Sequence, residues 1–261
     1  MKKNILPISL LAVALSLGVQ SASAQIKLNS KSIGALEKGA KAVAFSDADA
    51  AKLATQAVTW MDANNPVASA KDPYTVRLNK IFAKHKNEDG LKLNYKVYKV
   101  KDINAFACAD GSVRVFSSLM DIMTDDELLG IIGHEIGHVA NKDTRDAIKS
   151  AYTREALADA ASSQSGAVNA LSESQIGNFA KAVLGSKYNR KQESEADDYS
   201  YEFMKKYNYK VTALASAFQK FADMESGAEK SKTEKMMSSH PESASRADKI
   251  LKKAKKDGLV K

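Results

Sequence analysis

The 261-residue chain has a single cysteine, Cys108, so no intramolecular disulfide can form. That excludes the disulfide-stapled secreted scaffolds and any metal site closed by several thiolates. Cys108 lies in the apolar run AFACA and reads as a small buried hydrophobe. Beyond the first 24 residues no apolar run approaches the ~20 residues that a membrane-spanning helix needs. Aromatics are sparse where the positive charge concentrates. The net charge is +8, and its densest stretch, KILKKAKKDGLVK near the C-terminus, has no stacking side chain. A solvated helix face fits it better than a nucleic-acid surface. Histidine is scarce as well: only four occur, and two of them are four residues apart.

The N-terminus MKKNILPISLLAVALSLGVQSASAQ combines Lys2 and Lys3, an apolar core from Ile5 to Val19, and the small residues Ala22-Ser23-Ala24. This is the pattern of a secretory signal peptide over residues 1–24, with cleavage expected before Gln25. A lipid anchor would require cysteine where Gln25 stands. The expected product is one domain over 25–261, soluble and exported, periplasmic rather than fully secreted, and monomeric. That length buries a core without disulfides.

Residues 25–45 are polar and weakly periodic. Ser46-Asp47 caps a helix to Asn64 that buries Leu53, Ala57, Val58, Trp60 and Met61, and Asn65-Pro66 stops it. A second helix follows Asp72-Pro73, with Val76, Leu78, Ile81 and Phe82 on its apolar side. From Leu91 the period becomes two, so LKLNYKVYKV, INAFACA and VRVFS read as strands. Asp110-Gly111 is a hairpin turn between the last two. The strand Val113–Phe116 is expected at the sheet edge, where an extended peptide could pair with it. Helical signals return with a capping box, Thr124 and Glu127. Residues 156–187, rich in Ala, Ser and Gly, read either as two small-residue helices or as a mobile lid. Later helices run from Tyr188 to Tyr207, along VTALASAFQKFADM and along ESASRADKILKKAKK, with GAEKSKTEKMMSSHP as a loop. The pattern defines an α+β fold, mainly helical, with a small antiparallel sheet beside one helix.

That helix carries the chemistry. In HEIGH, His134 and His138 lie one turn apart, about 6 Å along the axis, on one face. Two imidazoles can therefore reach one ion, and Glu135, rotated by about 100°, can reach a water on it without being a ligand. An otherwise apolar helix (Leu128, Leu129, Ile131, Ile132, Ile136 and Val139) makes these polar groups costly unless paired or metal-bound. Gly130, Gly133 and Gly137 lower helix propensity by about 1 kcal/mol each and imply close approach of a strand or substrate. A catalytic zinc takes three protein ligands and keeps one position open. Glu193, in RKQESEADDYSYEF, is the carboxylate candidate, and Asp197 one turn on could accept a ring N–H from a ligating histidine. On spacing alone this segment could equally be a solvated acidic face.

HEIGH followed by ESEAD resembles the HtpX/OMA-type gluzincin metallopeptidases, whose pattern is HExxH with a later ExxAD. NAFACADGSVRVFSS and SSHPESASRADKI extend the likeness over most of residues 90–250, nearest to exported LoiP-like single-domain members. The chain departs from HtpX in having no membrane-spanning helices and from LoiP-like lipoproteins in having no anchoring cysteine. The resemblance implies a zincin domain with one Zn²⁺ held by His134, His138 and Glu193, and Asp197 behind them. It implies Glu135 as general base in the hydrolysis of unfolded or misfolded envelope proteins. It also places His240 and Arg246 over the cleft, as donors to the developing oxyanion, or with His240 filling the open metal position and blocking it. The reading from another class is a non-catalytic, zinc-bearing chaperone-like or peptide-binding protein, against which Glu135 argues.

Overall fold

The computed structural model describes residues 45–162, 173–226 and 230–260. The signal peptide and residues 25–44 lie outside the described residues. Helix α1 (Asp47–Asn64) starts at Ser46, whose hydroxyl accepts from the Asp49 N–H while the Asp49 carboxylate accepts from the Ser46 N–H. Its buried stripe is Ala50, Ala54, Ala57, Val58 and Met61, whereas Leu53 and Trp60 are only half-buried. Helix α2 (Pro73–Ile81) follows the cap Asp72 and buries Leu78. Val76 is exposed, contrary to the expected apolar side, because that side of the short helix faces water.

A two-stranded ribbon of β1 (Asn87–Glu88) and β2 (Leu91–Lys92) precedes the main sheet, which comprises β3 (Asn94–Tyr98), β4 (Ala105–Ala107) and β5 (Ser112–Phe116). The order is β3-β5-β4. The β4–β5 hairpin is antiparallel, and β3 pairs parallel to β5, with Val97 opposite Val115. The sheet is therefore mixed. Two expectations change with it: Val113–Phe116 is the central strand, and the edge beside the active-site helix is β4. The backbone of β3 pairs with β5 along the side opposite β4, which covers the edge that periodicity alone had left free. Gly111, at φ +83°, makes the hairpin turn, and a Cβ there would lie 2.0 Å from the Lys92 carbonyl oxygen.

After a short helix α3 (Ser117–Ile122) come α4 (Asp125–Ala140) and α5 (Asp143–Ser162). Then α6 (Glu173–Leu184) and α7 (Arg190–Lys206) lead to α8 (Ala213–Ser226), α9 (Lys230–Ser239) and α10 (Ser243–Lys256). The described parts of 156–187 are thus mostly helical; 163–172 lie outside the described residues. Helix α9 replaces the expected loop. Its buried Thr233, Met236 and Met237, with His240 just past its end, recur at helical spacing, a stripe diluted in the sequence by Lys and Ser. One core cluster joins α4, α7, α8 and α10 to the sheet, and a second joins α1, α5 and α6. Cys108 is buried in the second. No helix of the described residues is long and apolar enough to cross a membrane.

Candidate metal centre

Helix α4 is fixed at its start by a reciprocal cap: the Thr124 N–H donates to Glu127 Oε2 at 2.8 Å, and the Glu127 N–H to Thr124 Oγ1 at 3.3 Å. It runs through the core, so His134, Glu135 and His138 are all buried. Helix α7 starts at Asn189, whose side chain accepts from the N–H groups of Lys191 and Gln192. This cap sets the register that turns Glu193 and Asp197 inward. The α4 glycines let α7 and α8 close on α4. A Cβ on Gly130 would meet Leu214, one on Gly133 would meet Ser200 and Phe203, and one on Gly137 would meet Ala196 and Tyr199. The close approach expected of a strand or substrate belongs to two helices.

The sequence-predicted residues converge. The nearest donor atoms of His134, His138, Glu193 and His240 all lie within 4.8 Å of one another. His134 Nδ1 is 2.9 Å from Asp197 Oδ1, and His138 Nδ1 is 2.8 Å from Asp143 Oδ2. An ionised carboxylate only accepts, so each Nδ1 carries a proton, and each Nε2 is the atom left to bind a metal, presenting its lone pair when the ring is neutral. Those two Nε2 atoms are 3.0 Å apart, with the Glu193 oxygens 3.4 Å and 3.6 Å away. With both rings neutral, these lone pairs and the carboxylate repel unless positive charge, a proton on a ring or a metal ion, sits among them. Glu193 Oε2 is paired with Arg246 Nη1, while Oε1 faces His138 Nε2 and His240 Nδ1. The donor set therefore fits a divalent metal ion, and two nitrogens with one carboxylate suit zinc.

The electrostatics agree. Burial opposes charge on His138, yet Asp143 and Glu193 outweigh it and raise the ring, whereas burial and the Arg246 charge push His134 well down. Burial also works against ionised Glu193, but His138 and His240 hold it below the usual carboxylate range. The site thus calls for positive charge between the rings. Glu135 behaves oppositely: burial pushes its carboxyl up, which suits a group that must take and release a proton.

Arg246 is placed differently from expectation. Its Nε and Nη2 both donate to Asp197, at 2.8 and 2.6 Å, its Nη1 is 2.5 Å from Glu193 Oε2, and its guanidinium lies 4.1 Å above the Phe218 ring. That geometry clamps the carboxylates and leaves the guanidinium no free fork to offer a substrate. His240 Nδ1 is 3.0 Å from Glu193 Oε1 and 3.3 Å from His134 Nε2, while its Nε2 lies 3.5 Å from Glu135 Oε1. Sequence reasoning missed Asp143, whose other oxygen accepts from Gln192 at 2.9 Å, and Tyr188, whose ring stacks on His138. Asp143 follows His138 by five residues across a helix break, so no periodicity announces it.

Two histidines one turn apart, a glutamate beside them and a carboxylate from a second helix define a metallopeptidase centre. Residues 75–254 match the model of Peptidase family M48, and the chain belongs to that family. It is 43% identical over 211 residues to Metalloprotease YcaL of Escherichia coli (strain K12), which covers 80% of this chain and 82% of that one. It is 41% identical over 235 residues to Metalloprotease LoiP of the same organism, covering 88% and 92%. The protein is accordingly a metallopeptidase with a zincin-type α+β domain.

Proposed function

We propose that this chain is a zinc-dependent endopeptidase of the periplasm that cleaves unfolded or misfolded envelope proteins. One observation carries the reading. The Nε2 atoms of His134 and His138 lie 3.0 Å apart beside the Glu193 carboxylate, with Glu135 buried alongside. His134, His138 and Glu193 would hold the ion, which when bound supplies Lewis acidity to a peptide carbonyl and lowers the pKa of a water.

The chain's own residues do the rest. Glu135 takes the proton of the attacking water and passes it to the leaving amine. Asp197 and Asp143 fix the tautomers of the two histidines, and Arg246 holds Asp197 in place. The free edge of β4 offers main-chain N–H and C=O groups that an extended segment could pair with. Such pairing reads little sequence and demands an unfolded substrate, which supports a role in quality control. The Lys2-Lys3, apolar-core and Ala22-Ser23-Ala24 pattern supports export.

The test compares the protein from the periplasmic fraction, its N-terminus read as Gln25, with Glu135→Gln. Both should bind one zinc per chain, and the variant should lose casein hydrolysis by a factor on the order of 100 to 10,000. Equal hydrolysis by the two would remove Glu135 from the reaction and with it the mechanism. A wild type that binds zinc but only prevents aggregation would favour the chaperone-like reading.

A further inference from the structure

Arg246 is clamped on Asp197 and His240 Nδ1 lies among the metal-donor atoms, so a further donor to the carbonyl oxygen is wanted, and a neighbouring side chain suits that task. Tyr188 stands directly before the α7 cap Asn189. Its ring stacks on that of His138, with centroids 3.8 Å apart and planes 15° from parallel, and lies 5.4 Å from the His240 ring. Its backbone N–H reaches the Ser239 carbonyl at 3.4 Å, which ties it to the segment bearing His240. A cavity of about 30 Å³ opens between these groups and the edge strand β4, lined by Glu135, Tyr188 and His240 on one side and Ala105, Ala107 and Cys108 on the other. That is room for about two water-sized groups.

Among the described residues the Tyr188 phenol oxygen has no hydrogen-bond partner, while Glu135 and His240 share its cavity. That oxygen is not among the fully buried atoms lacking a partner, and with no group of the described residues engaging it, it is free to bond a group that enters the cavity. An ordinary phenol, with a pKa of about 10, carries its proton at neutral pH and can donate it in a hydrogen bond.

We propose that Tyr188 is a further catalytic residue, whose phenol O–H donates a hydrogen bond to the substrate carbonyl oxygen as negative charge develops there. The stack on His138 fixes the ring, so the donor is in place before the reaction starts. The C=O bond loses its π character as the water oxygen attacks, the electron pair moves to the carbonyl oxygen, and the phenol bonds to it without transferring its proton. Collapse of that adduct expels the amine, protonated through Glu135, and releases the phenol.

This rests on the peptidase reading, and Tyr188→Phe separates the two because it keeps the ring and removes only the hydroxyl. The expected result is unchanged zinc content, a KM within about twofold and a kcat lower by about 100-fold. A phosphinic peptide, whose tetrahedral oxygens imitate the developing charge, should lose affinity by a similar factor, while a product peptide should not. A kcat within about threefold of wild type, a fall matched by lost zinc, or undiminished phosphinic binding would overturn the proposal and leave the peptidase reading intact. A zinc-loaded wild type that cleaves no peptide overturns the peptidase reading itself, and this proposal with it.

Discussion

His240 occupies the three-residue corner between α9 and α10, followed by Pro241 and by Glu242, whose φ of +68° is unusual for a residue with a Cβ. Its Nδ1 lies among the atoms of His134 and Glu193, within the cluster that suits a metal. A fourth side-chain donor there competes with the water a hydrolase needs. The geometry thus favours the blocking role over the donor role, and Pro241 limits how the corner can move. If the corner is open in about one molecule in ten, His240→Ala should raise casein hydrolysis about tenfold, because the competent population then approaches unity. The measurement is initial rate at fixed zinc occupancy. A fall in rate would instead make His240 a helper of the reaction and sink the blocking role.

At the scale of elements, the α4–α7 contact decides whether the ligands from two helices meet. Gly137 is its tightest point: an added Cβ would lie 3.0 Å from Tyr199 Cβ and 3.1 Å from the Ala196 backbone. Backbone cannot step aside as a side-chain tip can. Gly137→Ala should therefore destabilise the fold by about 1–3 kcal/mol, although alanine is the better helix former by about 1 kcal/mol. It should also weaken zinc binding by moving Glu193 away from the histidines. Urea unfolding and zinc competition read the two effects, and a variant more stable than wild type would show that the helices have slack. The Thr124 and Ser46 caps, the Asp110-Gly111 turn and the HEIGH helix were legible in the sequence because each is a local event. The parallel β3–β5 pairing and the helices that fill the glycine grooves were not. A period gives the face of an element but not its partner. Helix α9 escaped for a different reason: Lys and Ser between its buried positions mask the stripe.

Across the whole molecule, the site draws on α4, α5, α7, α10 and the α9–α10 corner, and the sequence yielded the ligands and Asp197 behind His134 but not Asp143 or the Arg246 clamp. Glu193 was legible only through its segment, and Asp143 through nothing local. Another brace lies at the opposite end of α4. Glu127 caps Thr124 and also accepts from Ser216 Oγ at 2.6 Å and Lys220 Nζ at 2.7 Å, which fastens α4 to α8. Burial opposes its charge, but Lys220, Ser216 and the Thr124 N–H outweigh burial and hold its pKa at about 2, below an ordinary 4.5. A carboxyl depressed in the folded state stabilises it above the unfolded value, and that stability drains away as pH falls through the folded value. The window is therefore pH 4.5 down to about 2. Solvent near Lys220 screens the pair, so the contribution is on the order of 1–2 kcal/mol. Glu127→Gln keeps the shape and removes the charge. By urea unfolding it should be less stable than wild type by that amount at neutral pH, and the difference should close as pH falls through the window. The comparison of two chains cancels the acid loss of metal that both share. A gap independent of pH would assign the stabilisation to hydrogen-bond geometry and not to the Glu127 charge.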